Sequence, residues 1–352
     1  MDDYASPLLQ LPDAVAGDGI DAPVAAHYGS LFGEQRTLVA GEGFVDLSHR
    51  DVIRVSGPDR LTWLHSLTTQ FFEGLRPKVP VAALVLSPQG HVEHAMYGVD
   101  DGEAFTAHVE PGEAPALVGW LDRMRFMMRV EVTDVTDDLA VTWRPAKALT
   151  PVEDPSTLVE DASTLVEVRA ARRASKPPHP IADSLPAYEF VPRRELQAYA
   201  AAAGPACGMW AFEALRIARG EPRLGLDTDH RTIPNEAGWI GRAVHLDKGC
   251  YRGQETVARV HTLGKPPRRL TMLHLDGSDN RLPKRGADLL QDDKSVGFVG
   301  TSARHHELGP IALAMVKRNV ALEAQLVVDG LDAGQEVIVD PEVGLHVRPT
   351  LR

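Results

Sequence analysis

The chain has 352 residues, of which 43% are hydrophobic and 24% charged, and its formal net charge is -12. This length predicts more than one compact unit, and the composition is that of a globular protein rather than a disordered or membrane protein. The negative charge opposes nonspecific binding of nucleic acid, which depends on lysine and arginine to neutralise phosphates, so no direct nucleic-acid partner is expected.

The N-terminus and the cysteines indicate the cellular compartment. No apolar run approaches the ~20 residues that span a bilayer, so no membrane partner is expected. The first residues, MDDYASPLLQLPDAV, lack the basic region of a secretory signal and the arginines of a transit peptide. Two cysteines, Cys207 and Cys250, are too few for a disulfide framework or for the four thiolates of an ordinary iron-sulfur cluster. We therefore expect a cytoplasmic protein.

The first half of the chain predicts an arm followed by a mixed α and β region. Residues 1–42 have weak periodicity and many Gly, Asp and Pro residues, which predicts a mobile N-terminal arm that docks in part. Strands over 44–56 and a helix from Asp59 to about Gln70 follow. Apolar runs at 81–87, 91–99 and 103–110 predict a hairpin meander, and 113–128 has the period of an amphipathic helix. Short strands over 130–134 and 139–143 complete this half.

The second half predicts an exposed loop, two helices and a small barrel. Residues 145–180 contain a five-residue echo, STLVE, and the polar run RRASKPPHP, which predict a divergent loop rather than a repeat architecture. Helices are predicted over about 192–203 and 209–219, ended by Gly204 and Gly220. Six short runs then predict a closed β-barrel: 268–276, 287–290, 295–303, 309–316, 324–330 and 336–340. The predicted units are thus 1–42, 43–264 and 265–352.

One segment, DKGCYRGQETVARVHTLGKPPRRL at 247–270, combines a cysteine with six basic and two acidic residues. Such a run is either a solvated, salt-bridged face or a pocket for a small anion. Cys250 itself has three interpretations: a buried packing residue, a metal ligand, or a reactive thiol beside an anion-binding surface. No metal site is expected, because the histidines nearby have no compact ligand spacing. No G-x-S-x-G elbow supports a hydrolase, and no G-x-G-x-x-G follows a strand.

Three strings of the chain resemble the YgfZ-type folate-binding proteins, relatives of the aminomethyltransferase (T-protein) of the glycine cleavage system. They are ALRIARGEPRLGLDTDHRTIPNEAGW, DKGCYRGQETVARV and SVGFVGTSARHHELGPIALAMVKR, and the resemblance runs from about residue 43 to 347. It implies an α+β fold of two interleaved units and a small C-terminal β-barrel around a folate channel. It further implies a tetrahydrofolate-binding factor that assists synthesis or repair of iron-sulfur proteins, with an indirect effect on tRNA modification. The implied partners are folate and iron-sulfur client or assembly proteins.

The string K-G-C-Y-x-G-Q-E is specific to the YgfZ branch and is intact here. Together with the resemblance, this string makes Cys250 the candidate catalytic residue. A nearby lysine and the N-terminus of a helix that starts near Gly253 would both lower the pKa of its thiol. The cofactor, tetrahydrofolate or a one-carbon derivative, needs acidic or amide partners for its pterin edge and basic partners for its tail. The candidate folate-binding residues are Lys248, Tyr251, Arg252, Gln254, Glu255, Arg259, Glu236 and Arg269, with Arg268 as a further tail partner.

Some of these residues have an equally ordinary interpretation. A carboxylate such as that of Glu255 is also favoured at the N-terminus of a helix, because it interacts favourably with the helix dipole. Tyr251, like Trp239, is also typical of packing between units. A scaffold that uses the fold without any ligand is therefore a further alternative.

Two positions depart from the T-protein pattern. The acidic doublet that follows a strand turn in the T-protein falls on His94 and Ala95, and the T-protein string LRLEAG is LRIARG here, which puts Ala218 in place of a glutamate. Glu93 is next to His94, but adjacent strand residues face opposite sides. His94 is either an acid-base group or a strand histidine with ordinary hydrogen bonds. No aminomethyltransferase activity is therefore expected, and a folate-dependent one-carbon transferase is the alternative function.

Overall fold

The structure is a computed structural model that describes residues 4–145 and 187–346. The loop predicted at 145–180 lies, except for its first residue, outside the described residues. The helices are α1 (Leu31–Val39), α2 (Arg60–Leu67), α3 (Ala114–Arg123), α4 (Leu196–Ala203), α5 (Met209–Ala218) and α6 (Gln254–Leu263). The strands are β1 (Val15–Ala16), β2 (Ala25–His27), β3 (Phe44–Asp46), β4 (Asp51–Ser56), β5 (Pro80–Leu86), β6 (Val92–Asp100), β7 (Ala104–Val109), β8 (Glu131–Asp134), β9 (Leu139–Arg144), β10 (Ala187–Pro192), β11 (Ala206–Cys207), β12 (Arg268–Leu275), β13 (Asp288–Gln291), β14 (Lys294–His305), β15 (Gly309–Lys317), β16 (Leu326–Val328) and β17 (Leu331–Val337).

Two antiparallel-rich sheets form the first part of the fold, and the chain passes between them twice. One sheet has five strands in the order β5-β6-β7-β4-β8, and the other has four in the order β10-β9-β3-β11. Because β3 precedes the five-stranded sheet in sequence and β9 follows it, the two units are interleaved as the resemblance implies. The helices α2 and α3 bury Trp63 and Leu117 against the five-stranded sheet.

The C-terminal strands close into a barrel in the order β12-β15-β14-β13-β16-β17, which confirms the predicted barrel. Its interior is apolar, and α5 fills the space between the barrel and the four-stranded sheet, with Ile217 on the barrel side and Phe212 on the sheet side. The last predicted strand is wrong. The sequence pattern places it at 336–340, but β17 begins at Leu331 directly after the Asp329-Gly330 turn and alternates buried with exposed residues.

Residues 4–42 belong to the body of the molecule instead of forming a mobile arm. Leu8 and Leu38 are almost fully buried in this segment. The Glu34 carboxylate accepts hydrogen bonds from the backbone N–H groups of Tyr28, Ser30 and Gly208, so it ties the segment to the start of α5. A buried carboxylate with several N–H donors makes a strong attachment, because hydrogen bonds to charged groups are the stronger ones.

The helix predicted over 113–128 ends earlier, at Arg123. The backbone of Phe126 has a φ of +46°, which a helix cannot continue through. The indole N–H of Trp63 donates to the carbonyl of Met124 at 3.1 Å and fixes the turn. No helix within 4–145 and 187–346 has the length and apolar character needed to cross a membrane.

Candidate functional site

The Cys250 segment, residues 247–253, lies between the turn after β5 and the loop after α2. Its end is fixed at Gly253, whose φ is +79° and where a Cβ would lie 2.5 Å from the carbonyl oxygen of Ser87 and 2.9 Å from Cα of Gly90. Only glycine permits both this conformation and this approach. Its start is fixed by Lys248, whose ammonium donates to the carbonyls of His65 and Thr68. The thiol therefore sits on a segment held at both ends.

The two cysteines have opposite environments. Cys250 is exposed, whereas Cys207 is buried in β11 with its Sγ 3.6 Å from the carbonyl oxygen of Glu34. Burial, with a smaller contribution from the Glu34 carboxylate, raises the pKa of the Cys207 thiol to about 12. Since the thiolate is the reactive form, only Cys250 is placed to react with or bind a partner. The packing interpretation therefore fits Cys207 and not Cys250.

Lys248 is turned away from solvent. Burial lowers the pKa of its ammonium to about 8, with Glu73 acting weakly in the opposite direction. The ammonium also lies 4.9 Å from the ring centroid of Tyr251. These contacts give Lys248 an anchoring role, because its donors point at the loop after α2.

The structure brings together the predicted residues that share the segment and the start of α6. The Arg252 guanidinium pairs with Glu93 at 3.0 Å and lies 5.8 Å from the Trp120 ring centroid. The Gln254 amide donates to the carbonyl of Lys248 at 3.4 Å. Glu255 and Arg259 are exposed and lie one helical turn apart on α6, where oppositely charged side chains attract.

Aromatic residues close the inner side of the segment. Tyr251 and Trp239 are buried in one apolar cluster with Leu84, Leu86 and Ala95. Their packing interpretation is therefore correct for the structure as it stands. Since Tyr251 belongs to the Cys250 segment, this cluster attaches the segment to the β5–β6 hairpin.

Two predicted folate-binding residues lie elsewhere. Glu236 is buried, and its two carboxylate oxygens accept from Arg268 at 2.9 Å and from the N–H of Ile233 at 3.1 Å. Arg269 lies at the end of the barrel and donates to the carbonyl of Val320 and to Gln335. Because Arg268 and Arg269 are adjacent on β12, they face opposite sides of the strand, Arg268 toward Glu236 and Asp229 and Arg269 toward Val320 and Gln335. Their role as tail partners stays a prediction.

The β6 strand carries the position where the T-protein has acidic residues. Glu93 lies at a β-bulge, because His94 pairs with Val85 and Val92 pairs with Leu86, so the alternation of side chains is interrupted at this residue. Glu93 is exposed and pairs with Arg252, whereas Ala95 is buried in the same apolar cluster as Val92 and Trp239. The Nδ1 of His94 is 3.4 Å from a Glu113 oxygen without the alignment of a hydrogen bond. Burial lowers the pKa of His94, so its ring is neutral at neutral pH.

A gap beside His94 and Ala95 has a volume of about 10 Å³, which is the room that one water molecule needs. Its other walls are Val109, Glu110, Glu113 and Leu224. Ala218, at the second departure from the T-protein pattern, packs in an apolar cluster between α5 and the barrel. Neither position therefore offers a carboxylate to a ligand.

A group of buried and half-buried charges, the central polar cluster, joins the N-terminal segment, both units and the barrel. Its members are Asp21, Glu110, Glu213, Arg216, Arg223 and Asp227. The Arg223 guanidinium contacts Glu110 at 2.7 Å and Asp21 at 2.8 Å, and Arg216 donates to Thr301 of β14. Sequence reasoning missed this cluster, because its partners are up to 202 positions apart and no local pattern connects them.

The gap has room for one water molecule, and its walls include an unpartnered polar atom. Within 4–145 and 187–346, His94 Nδ1 is the one buried side-chain polar atom of the gap's walls without a hydrogen-bond partner. His108 Nε2 and Arg50 Nε also lack a partner, but their residues do not line the gap. Buried polar atoms of this kind are normally satisfied by a ligand or water, since each costs ~1–3 kcal/mol when left alone. A pterin offers N–H donors and ring acceptors for such atoms. It could enter only if side chains around the 10 Å³ gap move.

Comparison with known proteins gives the fold of the chain. A crystal structure of the glycine cleavage system aminomethyltransferase T from Bartonella henselae superposes with a TM-score of 0.72, covers 96% of this chain and 97% of its own, and is 16% identical. The fold is thus that of the aminomethyltransferases, with the barrel included. No family model matches the chain.

Sequence comparison extends this likeness. An aminomethyltransferase of Halalkalibacterium halodurans is 24% identical over 361 residues, 97% of this chain and 93% of that protein. An iron-sulfur cluster assembly factor IBA57 homolog, mitochondrial, of Pyricularia oryzae is 25% identical over 244 residues, 65% of this chain and 56% of that protein. The chain is a homologue of both.

Proposed function

We propose that this protein is a tetrahydrofolate-binding factor of the cytoplasm that assists the synthesis or repair of iron-sulfur proteins, with Cys250 as its functional thiol. An effect on tRNA modification would follow indirectly, through the iron-sulfur enzymes that carry it out. The observation that carries the proposal is the exposed thiol of Cys250 on a segment fixed by Lys248 and Gly253. An aminomethyl transfer to folate would need no such thiol.

The relatives support the two halves of the proposal differently. The aminomethyltransferases share the fold over the whole chain, which supports a folate as ligand. The assembly-factor relative supports the iron-sulfur role, because its name states that activity. A cluster or a cluster protein would be the substrate here, since Cys250 and the buried Cys207 cannot hold a cluster between them.

The folate proposal rests on the polar nitrogens near the gap and on the Cys250 segment. His94 and Arg50 would give the pterin hydrogen-bond partners, Trp239 and Tyr251 would give it apolar walls, and Arg259 would attract its tail carboxylates. Bound tetrahydrofolate would supply a carrier for one-carbon groups. The residues of this chain would bind and orient it and exclude water from it.

Titration calorimetry with tetrahydrofolate and its one-carbon derivatives tests the folate half directly. We expect a dissociation constant in the micromolar range, about 8 kcal/mol of binding free energy. His94→Ala should bind more weakly, whereas Arg318→Ala on the barrel should bind like the wild type. Absence of binding up to millimolar ligand would overturn the folate half.

The second candidate is a folate-dependent one-carbon transferase, which the length of the match to the aminomethyltransferases favours. Ala95 and Ala218 argue against aminomethyl transfer, because both stand where the T-protein has a carboxylate. We expect no release of methylene-tetrahydrofolate from an aminomethylated lipoyl protein above a reaction without enzyme. Turnover well above that background would favour the transferase over the thiol-based factor.

A further inference from the structure

A cavity lies at one end of the barrel, between α1, the loop that leaves β12 and the turn from β14 to β15. Its volume is about 170 Å³, and its walls include Phe32, Asn280, Arg281, Arg304 and Pro310. A cavity of ~150 Å³ holds a molecule the size of benzene. Asn280 and Arg281 are exposed, so the cavity opens to solvent on this side.

The two sides of the cavity are fixed to each other by Gln35 of α1, which is fully buried. Its side-chain amide donates to the carbonyl of Arg304 at 2.8 Å, and its side-chain oxygen accepts from the N–H of His306 at 2.8 Å. Phe32 precedes Gln35 by three residues, so the two side chains lie on the same face of α1. The Phe32 ring, which is 39% exposed, is therefore held as a fixed wall of the cavity.

The Arg304 guanidinium is a half-buried charge without a counter-charge. Its Nε donates to the side-chain oxygen of Asn280 at 3.1 Å, and its Nη2 donates to the Asn280 carbonyl at 2.6 Å. Within 4–145 and 187–346 these are its only hydrogen bonds, and it takes part in no ion pair. A guanidinium has five N–H donors in a fixed fork, so both N–H groups of Nη1 remain free. An anion in the cavity would supply the missing charge.

The second cation of the wall, Arg281, is paired only at the surface. Its Nη2 is 3.0 Å from a carboxylate oxygen of Asp279, and the two side chains are 52% and 59% exposed. Such an exposed pair contributes little and is screened by salt, so Arg281 can exchange Asp279 for a ligand at little cost. In the part of the chain that the structure describes, no carboxylate belongs to the wall of the cavity. A bound anion would therefore meet no like charge there.

We propose that this cavity is a ligand site for an aromatic carboxylate, separate from the proposed folate site and independent of the proposed function. The carboxylate binds to Arg304 and Arg281, because the planar fork of a guanidinium matches a carboxylate. The ring fills the benzene-sized space against Phe32 and Pro310. An inorganic anion would leave these apolar walls uncovered, and an uncharged ring would leave Arg304 without a counter-charge.

Saturation-transfer NMR on the full chain tests the site, with benzoate as the probe. We expect a dissociation constant in the millimolar range, as is usual for a ligand of few atoms. Binding should weaken at least about tenfold in Arg304→Gln and in Phe32→Ser. The matched control is Arg318→Gln, which replaces a half-buried arginine of the barrel that does not line the cavity and should bind like the wild type.

Two competitors separate the charge from the ring. Benzyl alcohol has the ring without the charge, and inorganic phosphate has the charge without the ring. Each should displace benzoate at least about tenfold less effectively than unlabelled benzoate does. Equal competition by either one would overturn the assignment to an aromatic carboxylate, because one half of the ligand would then account for the binding.

The variants also guard against a loss of fold. Thermal melting of each variant accompanies the titrations, and Arg281→Gln, at an exposed position, serves if Arg304→Gln melts early. Benzoate binding that is unchanged in Arg304→Gln, Arg281→Gln and Phe32→Ser would overturn the site, since the probe would then bind elsewhere.

An aromatic carboxylate has two sources, a free aromatic acid and the C-terminus of a polypeptide that ends in an aromatic residue. A peptide that ends in Gly-Gly-Phe and the same peptide with an amidated C-terminus distinguish them. Tighter binding of the free-acid peptide than of benzoate, lost on amidation and in Arg304→Gln, assigns the site to a chain terminus. Binding of benzoate alone assigns it to a free acid, and both results support the site.

Discussion

At the scale of single residues, the reactivity of a thiol depends on its exposure and pKa, and the two cysteines differ in exposure. We expect iodoacetamide at about pH 8 to alkylate Cys250 ~100-fold faster than Cys207 in the native protein, because a buried thiol with a raised pKa is unreactive. Mass spectrometry of the two cysteine peptides measures the rates. Unfolding in urea is the control, since both should then react alike. Similar rates in the native protein would contradict the environments assigned to the two thiols.

The sequence made Cys250 the candidate thiol but did not predict its surroundings. The string around Cys250 identified the segment, since its glycines and charges are unusual. It could not predict that Lys248 turns toward the carbonyls of His65 and Thr68, 183 and 180 positions away. The alternation of side chains along strands is, however, readable from sequence. It predicts that Arg268 and Arg269 face opposite sides, but it fails at Glu93, where a β-bulge interrupts the alternation of β6.

At the scale of elements, the start of α6 decides where Cys250 lies. Gly253→Ala would place a Cβ 2.5 Å from the carbonyl oxygen of Ser87 at a φ of +79°. We expect this variant to lose ~1–3 kcal/mol of unfolding free energy, the usual cost of such backbone strain. Gly249→Ala is the matched control, because nothing lies within 4 Å of a Cβ there. Urea unfolding of both variants measures the difference, and equal stabilities would contradict the close packing of α6 on the β5–β6 turn.

The elements themselves were predicted where one period dominates. The strands β5, β6, β12 and β15 are apolar runs bounded by turn residues, and each was found within two residues at either end. The strand β17 was displaced because its alternation of Leu331 and Ala333 with polar residues is weaker than the apolar run after it. The N-terminal segment was predicted to be mobile because its attachment depends on the contact of Glu34 with the start of α5, between residues 174 positions apart.

At the scale of the whole molecule, the central polar cluster holds the units together and should make stability depend on acid. Burial alone would raise the pKa of Glu110, but Arg223 and Arg50 lower it from 4.5 to about 2. A carboxylate whose pKa is lower in the folded than in the unfolded state stabilises the folded state at pH values above its unfolded-state pKa. This contribution is lost as the pH falls from about 4.5 toward 2.

Glu110→Gln tests this linkage. Removing one partner of a buried ion pair should cost ~3–5 kcal/mol at neutral pH, because Arg223 loses a counter-charge. The difference in unfolding free energy from the wild type should shrink as the pH falls from about 5 to about 2.5, as urea unfolding would measure. Glu131→Gln, an exposed site on β8, is the control and should follow the wild type. A difference that stays constant over this range would show that the Glu110 charge does not stabilise the fold.

The central claim is that the molecule works through Cys250 and not through aminomethyl transfer. The most direct measurement is the activity of iron-sulfur enzymes in cells that lack the protein and receive the wild type, Cys250→Ala or Cys207→Ala. Thermal melting of each purified variant accompanies it. We predict that the wild type and Cys207→Ala restore the activity, whereas Cys250→Ala does not, although it melts within ~2 °C of the wild type because its side chain is exposed. Full restoration by Cys250→Ala, or a failure that follows only from its unfolding, would contradict the account.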